Sequence, residues 1–199
     1  MRNIACCMLF LMASCAFGQR VFVKDSSVAY QKNLDREYAD KKESPLTAKD
    51  RLQFKGLDFF PVDGKYFVTA KFTRTEGEKP FGMTSTSRTP MYVKYGEAAF
   101  TLDGKQCKLN IYRNIDLSKT EQYKNYLFLP FLDLTSGEES YGGGRYIDLR
   151  IPEGDTIVID FNRAYNPYCA YNPVYSCPVT PRENTLDVAI KAGVKKFHD

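Results

Sequence analysis

The stretch "AFTLDGKQCKLNIY", Ala99 to Tyr112, constrains the fold more than any other part of the chain. Phe100 and Leu102 lead into Asp103-Gly104, and Cys107, Leu109 and Ile111 lead out on the same every-second-residue alternation. Asp-Gly between two alternating runs is the signal of a two-residue hairpin. Both turn positions need positive φ, which Gly takes freely and Asp tolerates. The same period recurs elsewhere. Tyr66, Val68, Ala70 and Phe72 alternate with Phe67, Thr69, Lys71 and Thr73, behind an Asp63-Gly64 turn. "YLFLPFLDLT" is a third run, in which Pro130 argues for an edge strand or a bulge because it has no N–H to donate. "RYIDLRI" and "TIVIDFN" read as a second hairpin across Pro152-Glu153-Gly154.

Helical signals are confined to the start of the chain. Ser26 to Lys42 carries a sparse apolar stripe of Val28, Leu34 and Tyr38 and stops at Ser44-Pro45. Thr47 can cap a short helix through Phe54, ended by Gly56. "TLDVAIKAGVKKF" near the C-terminus suits a strand or a short helix equally well. These elements predict a mainly β, β-rich α+β fold: an antiparallel barrel or sandwich with one or two N-terminal helices. The 14 Tyr and 14 Phe, with no Trp, fit a sheet-rich core.

The first residues read as a targeting segment. Arg2 precedes an apolar run, Ile4 to Phe17, that is short for a membrane span, and Ala16-Phe17-Gly18 fits a small-x-small cleavage site. Residues 1–18 are therefore expected to be a signal peptide and residues 19–199 a single exported domain, periplasmic or secreted. An alternative is lipoprotein processing at "LMASC", with Cys15 acylated and the chain anchored in the envelope. The net charge of +4 is spread without a basic cluster, so nucleic acid is not an expected partner, and a membrane is one only through Cys15. After cleavage, Cys107, Cys169 and Cys177 remain. Cys169 and Cys177 are the near pair, and a disulfide there would close about nine residues and contribute roughly 2.6 kcal/mol. Cys107 lies in a strand pattern and is expected to be buried and inert.

Two motifs near the C-terminal end carry a family resemblance. "LFLPFLDLTSGEESYGGGRYIDL" is followed by "DFNRAYNPYCAYNPVYSCPVTPRENTLDVAIKAG". Upstream, in order, stand "SPL" at Ser44 to Leu46, "FKGLDFFPVD" at Phe54 to Asp63, and Tyr95-Gly96. Together they resemble the domain of unknown function 1684 family, from the N-terminal helix nearly to the end. The tail departs slightly, with Val194 where the pattern tends to carry Glu. The resemblance implies a named domain and no activity, ligand or cofactor.

Chemistry is sought in the second hairpin and its flanking loops. Placing Ile147 and Leu149 opposite Ile159 and Ile157 puts Tyr146, Asp148, Asp160 and Asn162 together on the other face. Two neighbouring carboxylates, Asp148 and Asp160, can serve as acid and base. With Glu139 they offer a weak alternative Ca²⁺ site; the plain alternative is a solvated face. Gly142 to Gly144 allow close backbone approach, and Arg145 is a fork suited to an anionic group. Its other reading is a structural pair with Asp148, Asp160 or Glu139. Asn166-Pro167 and Asn172-Pro173 start turns, and Tyr165, Tyr168, Tyr171 and Tyr175 either line a rim or form the loop's own small core.

Zinc and histidine-assisted nucleophiles are disfavoured, since His198 is the sole histidine, and no dinucleotide fingerprint occurs. No cofactor is expected. The leading expectation is a binding module for a small polar ligand. Arg145, Tyr146, Asp148, Asp160, Asn162, Tyr165, Asn166 and Tyr168 would form its site between the Gly-rich and Cys-bridged loops. A carboxylate-dependent hydrolase and a pocketless interaction scaffold are the alternatives.

Overall fold

The computed structural model describes residues 21–85 and 87–198. The expected leader and Cys15 lie outside the described residues. Two helices come first, α1 (Lys24–Ala39) and α2 (Ala48–Gln53). Thr47 caps α2, its hydroxyl oxygen accepting from the Asp50 amide at 3.1 Å. Seven strands follow: β1 (Phe67–Arg74), β2 (Phe81–Gly82), β3 (Met91–Leu102), β4 (Lys105–Asn114), β5 (Tyr126–Phe131), β6 (Arg145–Arg150) and β7 (Thr156–Asp160). They form one antiparallel half-barrel in the order β6-β5-β4-β3-β1-β7, with the short β2 paired to β3. The mainly β class with N-terminal helices is as the alternation predicts.

The β3–β4 hairpin forms in the expected register, Leu102 opposite Lys105 and Phe100 opposite Cys107. Its turn holds Asp103 at φ 51° and Gly104 at φ 74°. The second expected hairpin does not form as a ladder. β6 pairs with β5 and β7 with β1, so the two strands lie at opposite ends of the sheet order. A bridge between Tyr146 of β6 and Tyr165, five residues beyond β7, is the backbone pairing that links these two margins among the described residues. The alternation was satisfied all the same, because Ile147, Leu149, Ile157 and Ile159 point into one shared core.

Pro130 is neither on an edge strand nor in a bulge. β5 is interior, and the β4–β5 ladder narrows to Tyr112 opposite Phe128. Asn184 fills the gap beside Pro130: its side-chain oxygen accepts from the Asn110 amide, and its amide donates to the carbonyls of Asn110 and Pro130. A proline with no N–H is tolerated where a side chain, rather than a strand, faces it.

The segment after Pro181 is neither a regular strand nor an α-helix. It runs extended across the half-barrel, Leu186 donating to Leu132, Leu134 to Val188, and Phe60 to Gly193. Leu186, Val188, Ile190, Ala192 and Val194 are all buried, a period-two pattern that plugs the concave side. A second cluster joins Leu34, Tyr38, Leu46, Leu57, Tyr171 and Val194, which packs α1 against the Tyr-rich loop and the tail. A third lies on the other face of the sheet, where Met83, Tyr92, Tyr112, Phe128 and Tyr146 meet.

Candidate functional site

β6 divides its residues cleanly. Arg145, Ile147 and Leu149 face the core, while Tyr146 and Asp148 face the aromatic cluster on the opposite side. Asp148 is the exposed residue in the middle of the strand. One of its oxygens accepts two phenolic protons, from Tyr126 at 2.8 Å and Tyr165 at 2.7 Å. Burial, and then the Asp148 charge, push both phenols far above their ordinary pKa, so each remains a neutral donor. The other carboxylate oxygen has no hydrogen-bond partner among the described residues. The Asp148 charge also raises Tyr30 on α1, where burial is the larger cause. Tyr30 is in turn a wall of an open groove of about 780 Å³ that runs along α1, lined also by Ser26, Asn33, Asp35, Arg36 and Arg163.

Tyr146 connects this carboxylate to the two odd loops. Its ring meets Phe128 edge-on at 4.7 Å and Tyr165 at 5.9 Å, and its hydroxyl donates to the Pro178 carbonyl. Thr180 donates to the Gly143 carbonyl, and Tyr141 reaches Cys169 Sγ at 4.0 Å. The Gly-rich and Cys-containing loops therefore do meet, and they pack tightly. Gly144 has φ 88°, and a Cβ there would lie 2.6 Å from both the Phe131 carbonyl oxygen and Thr180 Oγ1.

Other expected site residues stand elsewhere. Arg145 is 0% exposed rather than on a rim. It pairs with Asp133 at 2.7 Å, not with Asp148, Asp160 or Glu139, and donates to the carbonyls of Ile190, Ala192 and Val194. It fastens the tail. Asp160 is buried, accepting from Ser27 at 2.6 Å and from the amide and side chain of Asn162, with Arg163 at 3.3 Å. Asn162 bonds both polar groups of the Asp63 backbone. Asn166 donates to the Lys195 carbonyl. Tyr168 is 42% exposed and leans edge-on against Tyr38 and Tyr175.

The Ca²⁺ alternative does not assemble. Glu139 pairs with Lys191, and among the described residues no three acidic, Cys or His groups are gathered for a metal. Cys107 is buried, as expected. Cys169 and Cys177 are free thiols here rather than the expected disulfide; the loop is held instead by Pro178, Val179 and Thr180 contacts.

Comparison with known proteins settles the family. A family model described as "Protein of unknown function (DUF1684)" matches residues 52–195. The chain belongs to the DUF1684 family. A solved structure of similar sequence is that of an uncharacterized protein of Haloarcula marismortui, determined by solution NMR. It is 36% identical, with a TM-score of 0.67 over 86% of this chain and 92% of the other. No curated protein matches.

Tyr126 and Asp133 were not singled out from the sequence. Tyr126 could have been found by extending the Phe128 and Pro130 parity one step back along β5. The Asp133-x-Thr135 turn signal, with Asp133 accepting the Thr135 amide at 2.7 Å, marks the start of the loop that holds Arg145.

Proposed function

We propose that this DUF1684 protein is an exported binding module for a small polar ligand, held at Asp148 against a wall of tyrosines. The observation that carries the reading is the half-used carboxylate. An exposed Asp that takes two phenols on one oxygen is fixed in orientation, and its second oxygen is left to accept from outside. Such an acceptor beside aromatic rings suits a ligand with hydroxyl or amino donors and one flat apolar face, such as a sugar. The half-buried Tyr165 and the groove-lining Tyr30 supply the faces. Export rests on the leader-like residues 1–18, with lipid attachment at Cys15 as its variant.

No observation favours a hydrolase working through Asp148 and Asp160. The Asp160 carboxylate serves as a joint between α1 and the end of β7. A saccharide and polyamine panel, read by native mass spectrometry and then calorimetry, tests the binding reading. Asp148→Asn should weaken any ligand found by about tenfold or more, the value of a lost charge-assisted bond. Tyr165→Phe should weaken it less and leave the melting temperature within a few degrees. A ligand whose affinity ignores both substitutions would place the site elsewhere.

A further inference from the structure

The two loop thiols form a cluster that polar-ligand binding does not use. Cys169 sits in a 3-10 turn, Tyr168–Ala170, started by Pro167. The chain returns so that the Cys169 amide donates to Cys177 Sγ at 3.3 Å, which brings the second sulfur back to the turn that carries the first. Tyr141, from the Gly-rich loop, brings its hydroxyl to 4.0 Å from Cys169 Sγ. Both thiols are half-buried, so a small reactant has access to them. Beside Tyr141, the exposed Gly142 and Gly143 offer backbone alone at the rim. Cys107 is the contrast: it is shut into β4, and burial pushes its thiol up.

We propose that Cys169 and Cys177 are a thiol–disulfide exchange site for small organic disulfides, with Cys169 the attacking sulfur and Cys177 the resolving one. The hydrogen bond from Cys177, then that from Tyr141, holds Cys169 down at about 6, against the opposing effect of burial. The same bond pushes the Cys177 thiol up, so one sulfur of the pair is ionised and its neighbour keeps its proton. The titratable neighbours facing them are Tyr141 and Tyr146; burial is the larger cause that raises both phenols, and the adjacent thiol pair adds to it.

The thiolate of Cys169 attacks one sulfur of R–S–S–R. A Cys169–S–S–R bond forms, the R–S–S–R bond breaks, and RS⁻ leaves. The proton of Cys177 passes to that RS⁻. The Cys177 thiolate then attacks the Cys169 sulfur, forming Cys169–S–S–Cys177 and releasing a second RS⁻, which takes its proton from water. Two electrons pass from the protein dithiol to the organic disulfide, which ends as two thiols.

The test uses the reduced protein and 5,5′-dithiobis(2-nitrobenzoate), followed by stopped flow from pH 5 to 9, with peptide mass mapping. Cys169 should react about tenfold or more faster than Cys107 at pH 6.5, with a rate midpoint near 6. The pair should release two equivalents of thionitrobenzoate and finish as a disulfide two hydrogens lighter, with no adduct. Cys177→Ser should strand the adduct on Cys169. A midpoint near the ordinary thiol value of about 8.5 would overturn the proposal. So would a lasting adduct on Cys169 in the unsubstituted protein, or first attack by Cys177. If Cys177→Ser does not fold, the stoichiometry and mapping of the unsubstituted protein decide.

Discussion

Arg145 and Asp148 stand three positions apart on β6 and meet opposite fates because a strand reverses its side-chain direction at every step. Asp148 reaches solvent and two phenols; Arg145 reaches the interior and Asp133. Breaking a buried pair by removing one partner strands the other charge. Arg145→Met or Asp133→Leu should each cost about 3–5 kcal/mol in urea unfolding, and the double variant should lose far less than the sum. Equal additive losses would mean that the pair is not coupled. Arg145 beside three glycines looks like a rim residue in the sequence because depth is not written locally. Its partner comes twelve positions earlier, across a turn.

Cys169 makes a second prediction at this scale. Its folded pKa lies below its unfolded value, so the contribution is fully present above about 9 and is lost as pH falls toward 6. The reduced protein should therefore gain stability between pH 6 and 9 relative to Cys169→Ser, measured by denaturant midpoints. A flat difference would contradict the thiolate assignment.

Among the elements, the junction of β4 and β5 is the most exposed to a single change. Asn184 satisfies three backbone groups where Pro130 parts the strands. Asn184→Ala should cost about 3 kcal/mol and speed hydrogen exchange at the Asn110 amide, since it leaves buried donors and acceptors without partners. An unchanged Asn110 amide would show that water replaces the side chain. Elements with a strong local signal were legible: the Asp103-Gly104 turn names its own hairpin, and Thr47 names its helix. The β6–β7 pairing was not. Parity tells which residues face the core, and it says nothing about which strand lies alongside when two margins share that core.

At the scale of the whole molecule, the tail is what turns an open sheet into a closed body. Deleting residues 185–199 would uncover the core against which Leu186, Val188, Ile190, Ala192 and Val194 pack. The truncated chain should bind a hydrophobic dye and lose its cooperative melt; a sharp transition without dye binding would show that the sheet stands alone. The sequence could not show this, because the tail suits a strand or a short helix equally well and does not name the surface it covers. The family motifs cover it nonetheless.

The bonds that fasten α1 to the end of β7 carry a further consequence, one of timing. Ser27 to Asp160 and Gln31 to Asn162 join residues 133 and 131 positions apart. Contacts so distant along the chain form late, because the entropy of closing so long a loop must be overcome before they return anything. The β3–β4 hairpin is suited to lead, and the helix that walls the groove docks near the end. Through most of the folding reaction the groove along α1 therefore does not yet exist.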